Sequence, residues 1–108
     1  MLDAQMKRGL LEHCVLAALA RGDSYGYQIV RDLSGSVTVT ESTLYPILRR
    51  LEGAGALTVY SVEHNGRLRK FYHMTPAGRR QLESFAADWN EIAAMYEYIR
   101  GGLTHDER

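Results

Sequence analysis

Three features predict an α+β fold for this 108-residue chain. Its first half holds three successive helical patterns. An Asn-Gly pair then sits between two runs of β-branched and aromatic residues. Finally, a long stretch near the C-terminal end repeats its large apolar residues every three or four positions.

The first helix is predicted from about Gln5 to Ala20. Met6, Leu10, Leu11, Cys14, Val15, Ala18 and Leu19 form a wide apolar arc, which suits a helix buried on more than one side. Arg21-Gly22 ends it. Asp23 or Ser24 can cap the second helix, because a short oxygen side chain accepts from a free N–H of the first turn. Tyr27, Ile29, Val30 and Leu33 give that helix its apolar side, and Ser34-Gly35 stops it. A turn or short extended piece, "SGSVTVT", leads to the third helix, "ESTLYPILRRLEG". Thr38, three residues before Glu41, matches a capping box, but Thr40 is favoured as the cap. Leu44, Ile47, Leu48 and Leu51 recur at helical spacing. Pro46 interrupts this pattern in the second turn and deprives the Ser42 carbonyl of its helical donor. A kinked or stiffened start of the third helix is therefore expected.

"ALTVYSVE" and "RLRKFYHM" flank His64-Asn65-Gly66-Arg67. Asn-Gly is the preferred pair for a two-residue type I′ turn, in which both residues need positive φ. A hairpin in that register sets His64 opposite Arg67 and Val59 opposite Tyr72. Leu57, Val59, Tyr72 and Met74 then share the core face, and Arg67, Arg69 and His64 share the other. Thr75 caps the last helix, with Pro76 at the first helical position, where its missing N–H costs nothing. Leu82, Phe85, Trp89, Ile92, Tyr96 and Ile99 form a heptad seam, open to a second copy of the chain or to its own first helix. Gly101-Gly102 is expected to end the helix and leave 103–108 frayed. Helix, helix, helix, hairpin is the order of a winged helix-turn-helix, here with an added C-terminal helix. The predicted boundaries are 1–75, 76–102 and the tail 103–108. In that architecture the third helix can enter a major groove, and the hairpin is a wing reaching the backbone or minor groove.

Composition narrows the function. Cys14 is the only cysteine, which excludes an internal disulfide and a cysteine metal cluster and points to a reducing cytoplasm. Met1 to Gln5 lacks the charged-then-apolar order of a secretory leader, and no apolar run approaches a membrane span. The four histidines have no metal-ligand spacing, and no cofactor motif is present. His13 and Cys14 point about 100° apart on a helix and cannot pair as base and nucleophile. Neither a catalytic nor a metal site is predicted. Net charge is zero, but residues 41–80 carry seven basic side chains against three acidic, whereas 81–108 carry two against six. A basic centre and an acidic terminal element suggest separate tasks.

"SYGYQIVRDL", "YPILRRLEGAGAL" and "GRLRKFYHMTPAGRRQL" stand in this order from about Leu10 to Leu82. The set resembles the PadR family of bacterial transcriptional repressors, and the short end with a single helix resembles its small-subfamily members. The resemblance implies a cytoplasmic homodimer, with each C-terminal helix packed across the other chain and two recognition helices on two half-sites of a palindromic operator in double-stranded DNA. It also implies release by a small molecule.

Phosphate neutralisation supplies most DNA affinity, and a few base-edge contacts supply preference. The candidate DNA residues of the third helix are Thr40, Ser42, Thr43, Tyr45 and Arg49, with Thr40 to Tyr45 reading DNA while Ile47 to Leu51 are anchored in the core. Capping competes for Ser42 and Thr43, and core packing for Tyr45. Of Arg49 and Arg50, only one can point well at DNA, and Arg49 is favoured. Arg67, Arg69 and Lys70 are the wing candidates, although alternation along a strand keeps all three from touching DNA equally. Ser24 and Tyr25 open the second helix, whose free N–H groups could hold a phosphate. Leu82, Phe85, Trp89, Ile92, Tyr96 and Ile99 are the dimer-interface candidates. Phe85, Trp89, Ile92 and Tyr96 could also line a site for a flat aromatic effector, since multidrug-binding relatives carry a tryptophan at this place in the C-terminal helix. The competing function is a winged-helix module that binds protein rather than DNA.

Overall fold

The computed structural model describes residues 2–105. Its order is α1 (Ala4–Ala20), α2 (Gly26–Leu33), α3 (Glu41–Gly53), β1 (Leu57–His64), β2 (Arg67–Met74) and α4 (Pro76–Thr104). This is the winged helix-turn-helix with a C-terminal helix that the sequence predicts. One apolar cluster holds it together: Leu11, Val15, Leu16 and Leu19 of α1, Ile29 and Leu33 of α2, Leu44, Ile47, Leu48 and Leu51 of α3, and Leu57, Tyr72 and Met74 of the wing base.

Local chemistry sets most boundaries. Asp3 caps α1 by accepting from the N–H groups of Gln5 and Met6. Thr40 caps α3 and accepts from Thr43 N–H at 3.3 Å. At the other end of α3, Ala56 N–H donates to Leu51 O and Gly55 N–H to Glu52 O, the paired bonds of a Schellman ending. Asn65 and Gly66 have φ of 53° and 78°, the double positive φ of a I′ turn. The register is therefore the expected one, with His64 opposite Arg67 and Val59 opposite Tyr72.

Three expectations need correction. Neither Asp23 nor Ser24 caps α2. Tyr25 holds the cap position without a side-chain bond, because Ser24 is drawn into an antiparallel bridge with Tyr72. Long-range backbone pairing has outcompeted a local cap. Gly101 and Gly102 do not end α4, which continues to Thr104, so Leu103 and Thr104 are helical rather than frayed. Neither glycine adopts positive φ, and glycine in helical geometry costs only about 1 kcal/mol. The rest of the expected tail, 106–108, lies outside the described residues. Pro46 does not divide α3, which is continuous from Glu41 to Gly53. The carbonyl it leaves without a donor belongs to exposed Ser42, where water can bond it.

α1 and α4 run antiparallel: Leu19 and Ala20 lie beside Pro76 and Arg79, and farther along the His13 ring stacks on Phe85 at 3.8 Å. Beyond Phe85 the α4 seam is only partly covered by its own chain. Trp89, Ile92, Tyr96 and Ile99 are all exposed. Leu103, one heptad step past Ile99, is 79% exposed and prolongs the seam that the two glycines were expected to end.

Candidate nucleic-acid interface

The N-terminal turns of α3, the start of α2 and the wing surround a cleft of about 850 Å³. Tyr25, Tyr45, Arg67, Arg69 and Lys70 all line it, so five of the expected residues come together there. Thr40, Ser42, Thr43 and Arg49 lie on the exposed side of α3 outside the cleft.

α3 presents a sorted surface. Leu44, Ile47, Leu48 and Leu51 are buried, and Thr40, Ser42, Thr43 and Arg49 face solvent. The three hydroxyls form one cluster, with Thr40 Oγ1 3.0 Å from Ser42 Oγ and 3.2 Å from Thr43 Oγ1. Thr40 caps the helix, and all three residues are exposed to solvent. Arg50 is committed to α1 through an ion pair with Glu12, whereas Arg49 has no ion pair among the described residues. Tyr45 is divided between packing and exposure. Its hydroxyl reaches Glu41 at 3.5 Å, and its ring lies so close to Gly26 that an added Cβ would sit 2.5 Å from the phenol oxygen. Burial first, then the Glu41 carboxylate, pushes the Tyr45 phenol above its ordinary value.

The wing alternates. Lys70 shares the face of Tyr72, while Arg67 and Arg69 share the opposite face with His64. Arg67 and Lys70 are exposed, but Arg69 is half-buried, its guanidinium 4.1 Å from the centre of the Tyr25 ring. That is cation–π geometry.

Ser24 is placed differently from the expectation. Its backbone pairs with Tyr72, its side chain turns inward, and its buried hydroxyl has no partner. Ser24→Ala is expected to leave the melting temperature unchanged or raise it by an amount worth up to about 1 kcal/mol, because a buried hydroxyl without a partner costs free energy. A capping serine would lose about 1 kcal/mol on the same change. Thermal melts of both proteins decide between the two.

Sequence reasoning also passed over several neighbours of this site. Glu41, His64, Asn65 and Leu68 line the cleft. Asp23, a candidate cap by sequence, instead accepts from Tyr60 Oη at 2.7 Å and from His73 Nδ1 at 2.8 Å. A carboxylate only accepts, so the His73 Nδ1 carries the proton. The bond from Tyr60, then that from His73, holds the Asp23 carboxyl below its ordinary range. The only signal in the sequence was the Asn-Gly register, which sets Tyr60 and His73 on one face. Nothing local indicated that residue 23 would reach them. Among the described residues no group of His, Cys, Asp and Glu could hold a metal ion, and no helix is long and apolar enough to cross a membrane.

Residues 15–84 match the model of the transcriptional regulator PadR-like family. A transcriptional regulator of Mycobacterium tuberculosis is 31% identical over 102 residues, covering 94% of this chain and 92% of the relative. Among solved structures, a PadR family transcriptional regulator from Eggerthella lenta superposes with a TM-score of 0.80 at 32% identity, over 88% of this chain and 85% of that one. Bacillus subtilis PadR, solved in complex with operator DNA, shares the fold with a TM-score of 0.65 at 23% identity, over 70% of this chain and 46% of that one.

Proposed function

The chain belongs to the PadR-like family of transcriptional regulators, and on that footing we propose that it is a homodimeric repressor that binds a palindromic operator in double-stranded DNA. The observation that carries this reading is the sorting of α3. Its buried side anchors it in the core, and its outer side exposes three hydroxyls and, farther on, Arg49, which has no ion pair among the described residues, beside a basic wing. In a major groove, Arg49 would meet guanine O6/N7 or a phosphate, and Thr40, Ser42 and Thr43 would bond phosphates or base edges. Tyr45 would flank them from the cleft. Arg67, Lys70 and the partly engaged Arg69 would contact the flanking backbone or minor groove. Tyr25 lines the same cleft at the start of α2, and Ser24 behind it supports the wing from within.

The exposed seam of α4 supports the dimer. Leu82 and Phe85 are held against the protomer's own core and α1, and Trp89, Ile92, Tyr96 and Ile99 would pair with the partner's α4 and α1. Two recognition helices on one rigid dimer address two half-sites.

Fluorescence anisotropy with the promoter DNA upstream of its own gene tests the proposal. Wild type is expected to bind it more tightly than unrelated DNA. Arg67→Ala with Arg69→Ala is expected to weaken binding by about 10- to 100-fold, two charged contacts being lost. Equal affinity for all DNA would refute a specific operator, and no DNA binding, or a double variant that binds like wild type, would refute the DNA reading in favour of a winged-helix module for protein.

An aromatic effector site near Trp89 is the finer part of the proposal. Phe85 is half-buried under His13 and lies 6.2 Å from Trp89 in a tilted pair, which begins an apolar stripe that Ile92 and Tyr96 continue along the helix. Flat aromatic compounds are expected to quench Trp89 fluorescence saturably and to lower operator affinity in parallel. Quenching without an effect on DNA binding would leave Trp89 a packing residue.

A further inference from the structure

Beyond the turn itself, the distal wing has nothing packed on it: residues 61–68 are all exposed. Its pitch relative to α3 must therefore be set at its base. There the antiparallel bridge of Ser24 to Tyr72 makes residues 23–25 a rudimentary third strand beside β2. Ser24 N–H donates to Tyr72 O at 3.3 Å, and Tyr72 N–H donates to Ser24 O at 2.8 Å. Alternation turns the Ser24 side chain to the core with Tyr72 and the side chains of Asp23 and Tyr25 to the outer face. On that face the Asp23 carboxylate ties β1 to β2, with one oxygen on Tyr60 and the other on His73. The Tyr25 ring lies against Phe71 at 5.3 Å and under Arg69 at 4.1 Å. The next residue, Gly26, is in contact with Tyr45 of α3. Four consecutive residues thus join the wing to the recognition helix.

We propose that this segment is a clasp, and that Asp23 is a positioning residue which fixes the angle between wing and recognition helix and so sets how both elements engage one operator half-site. The proposal rests on the DNA reading above. Its electrostatic sign makes it distinctive. Asp23 is a negative charge on a protein that must meet a polyanion, so on charge alone Asp23→Asn leaves affinity unchanged or raises it. A clasp requires the opposite.

Operator affinity of Asp23→Asn is expected to fall about 3- to 10-fold, the range for losing a charge-assisted bond at a partly exposed site. Tyr60→Phe is expected to weaken binding in the same direction, and the double variant no more than the weaker-binding single one, because the Tyr60 bond depends on the Asp23 carboxylate. The slope of log K against log salt stays at its wild-type value, whereas Arg67→Ala lowers it by about one. Hydroxyl-radical footprints of Asp23→Asn should lose protection where the wing lies and keep it under the recognition helix. Amide exchange in the DNA-free protein reads the clasp independently of operator binding: residues 61–70 should exchange faster in Asp23→Asn, with α1 and α3 unchanged. If Asp23→Asn should fail to fold, Tyr60→Phe, which leaves the carboxylate and the ring in place, carries each measurement. Unchanged or tighter DNA binding with unchanged wing exchange would overturn the proposal, as would protection lost evenly across the footprint. Faster wing exchange in a protein whose wild type binds no operator would uphold the clasp and refute the DNA reading instead.

Discussion

Ile92→Glu is expected to convert the protein to a monomer and to weaken operator binding by roughly 100-fold or more, since each half-site would then be bound without the help of the other. α4 carries Trp89, Ile92, Tyr96, Ile99 and Leu103 on one stripe, and all five are exposed in the single chain. Covering roughly 100 Å² at each of these five positions on two protomers is worth about 25 kcal/mol of gross hydrophobic transfer. Association costs on the order of 4–15 kcal/mol, so the seam has enough apolar surface to drive a dimer. Ile92 lies midway along it. A carboxylate there would be desolvated without a partner, which cancels much of the surplus. The protomer fold should survive, because Ile92 is 40% exposed in the single chain and outside the core cluster. Light scattering coupled to gel filtration and DNA anisotropy on the same sample check both halves of the expectation. A dimeric Ile92→Glu protein with wild-type affinity would place the interface elsewhere.

Gly78→Ala should lower stability by about 3 kcal/mol, the upper range for forced overpacking. A Cβ there would stand 2.3 Å from the carbonyl oxygen of Ala56 and 3.0 Å from Met74 Cγ. That carbonyl cannot simply move away, for it accepts the Thr75 N–H at 3.0 Å while Thr75 Oγ1 holds Gly55 O and caps α4. The wing base, the end of α3 and the start of α4 are tied at this point. Gly101→Ala in the same helix should do the reverse and stabilise by up to about 1 kcal/mol, since nothing lies near its added methyl and its backbone is already helical. Melts at one fixed protein concentration compare the two, because a dimer's melting point depends on concentration. Opposite signs at two glycines of one helix are the expected outcome.

Elements with local signals were legible in the sequence. Asn65-Gly66 could satisfy its turn in one way, and the register of all eight strand pairs followed. Thr40 and Thr75-Pro76 marked helix starts because capping is chemistry within four residues. What the sequence hid was decided by distant partners. Asp23 and Ser24 look like caps, yet their bonds go to Tyr60, Tyr72 and His73 across the fold. Gly101-Gly102 looks like a helix stop, yet a glycine ending of the Schellman kind needs positive φ, and neither glycine adopts it. Pro46 interrupts the pattern, yet α3 stays continuous, because Pro46 costs one hydrogen bond at exposed Ser42 while Leu44, Ile47 and Leu48 beside it are buried. For the candidate interface, residue types and faces were readable on α3 and the wing. The stacking of Arg69 on Tyr25 and the pairing of Arg50 with Glu12 required the packed structure.

The most direct test of the central claim is the salt dependence of binding to the promoter DNA upstream of the protein's own gene. A dimer that sets Arg49, Arg67, Lys70 and helix N-termini against phosphates of two half-sites should release several counterions. Log K should then fall linearly with log salt, with a slope on the order of −4 to −6. A flat line, with affinity indifferent to salt between about 50 and 200 mM, would contradict a phosphate-anchored regulator and leave the winged-helix scaffold without the function proposed for it.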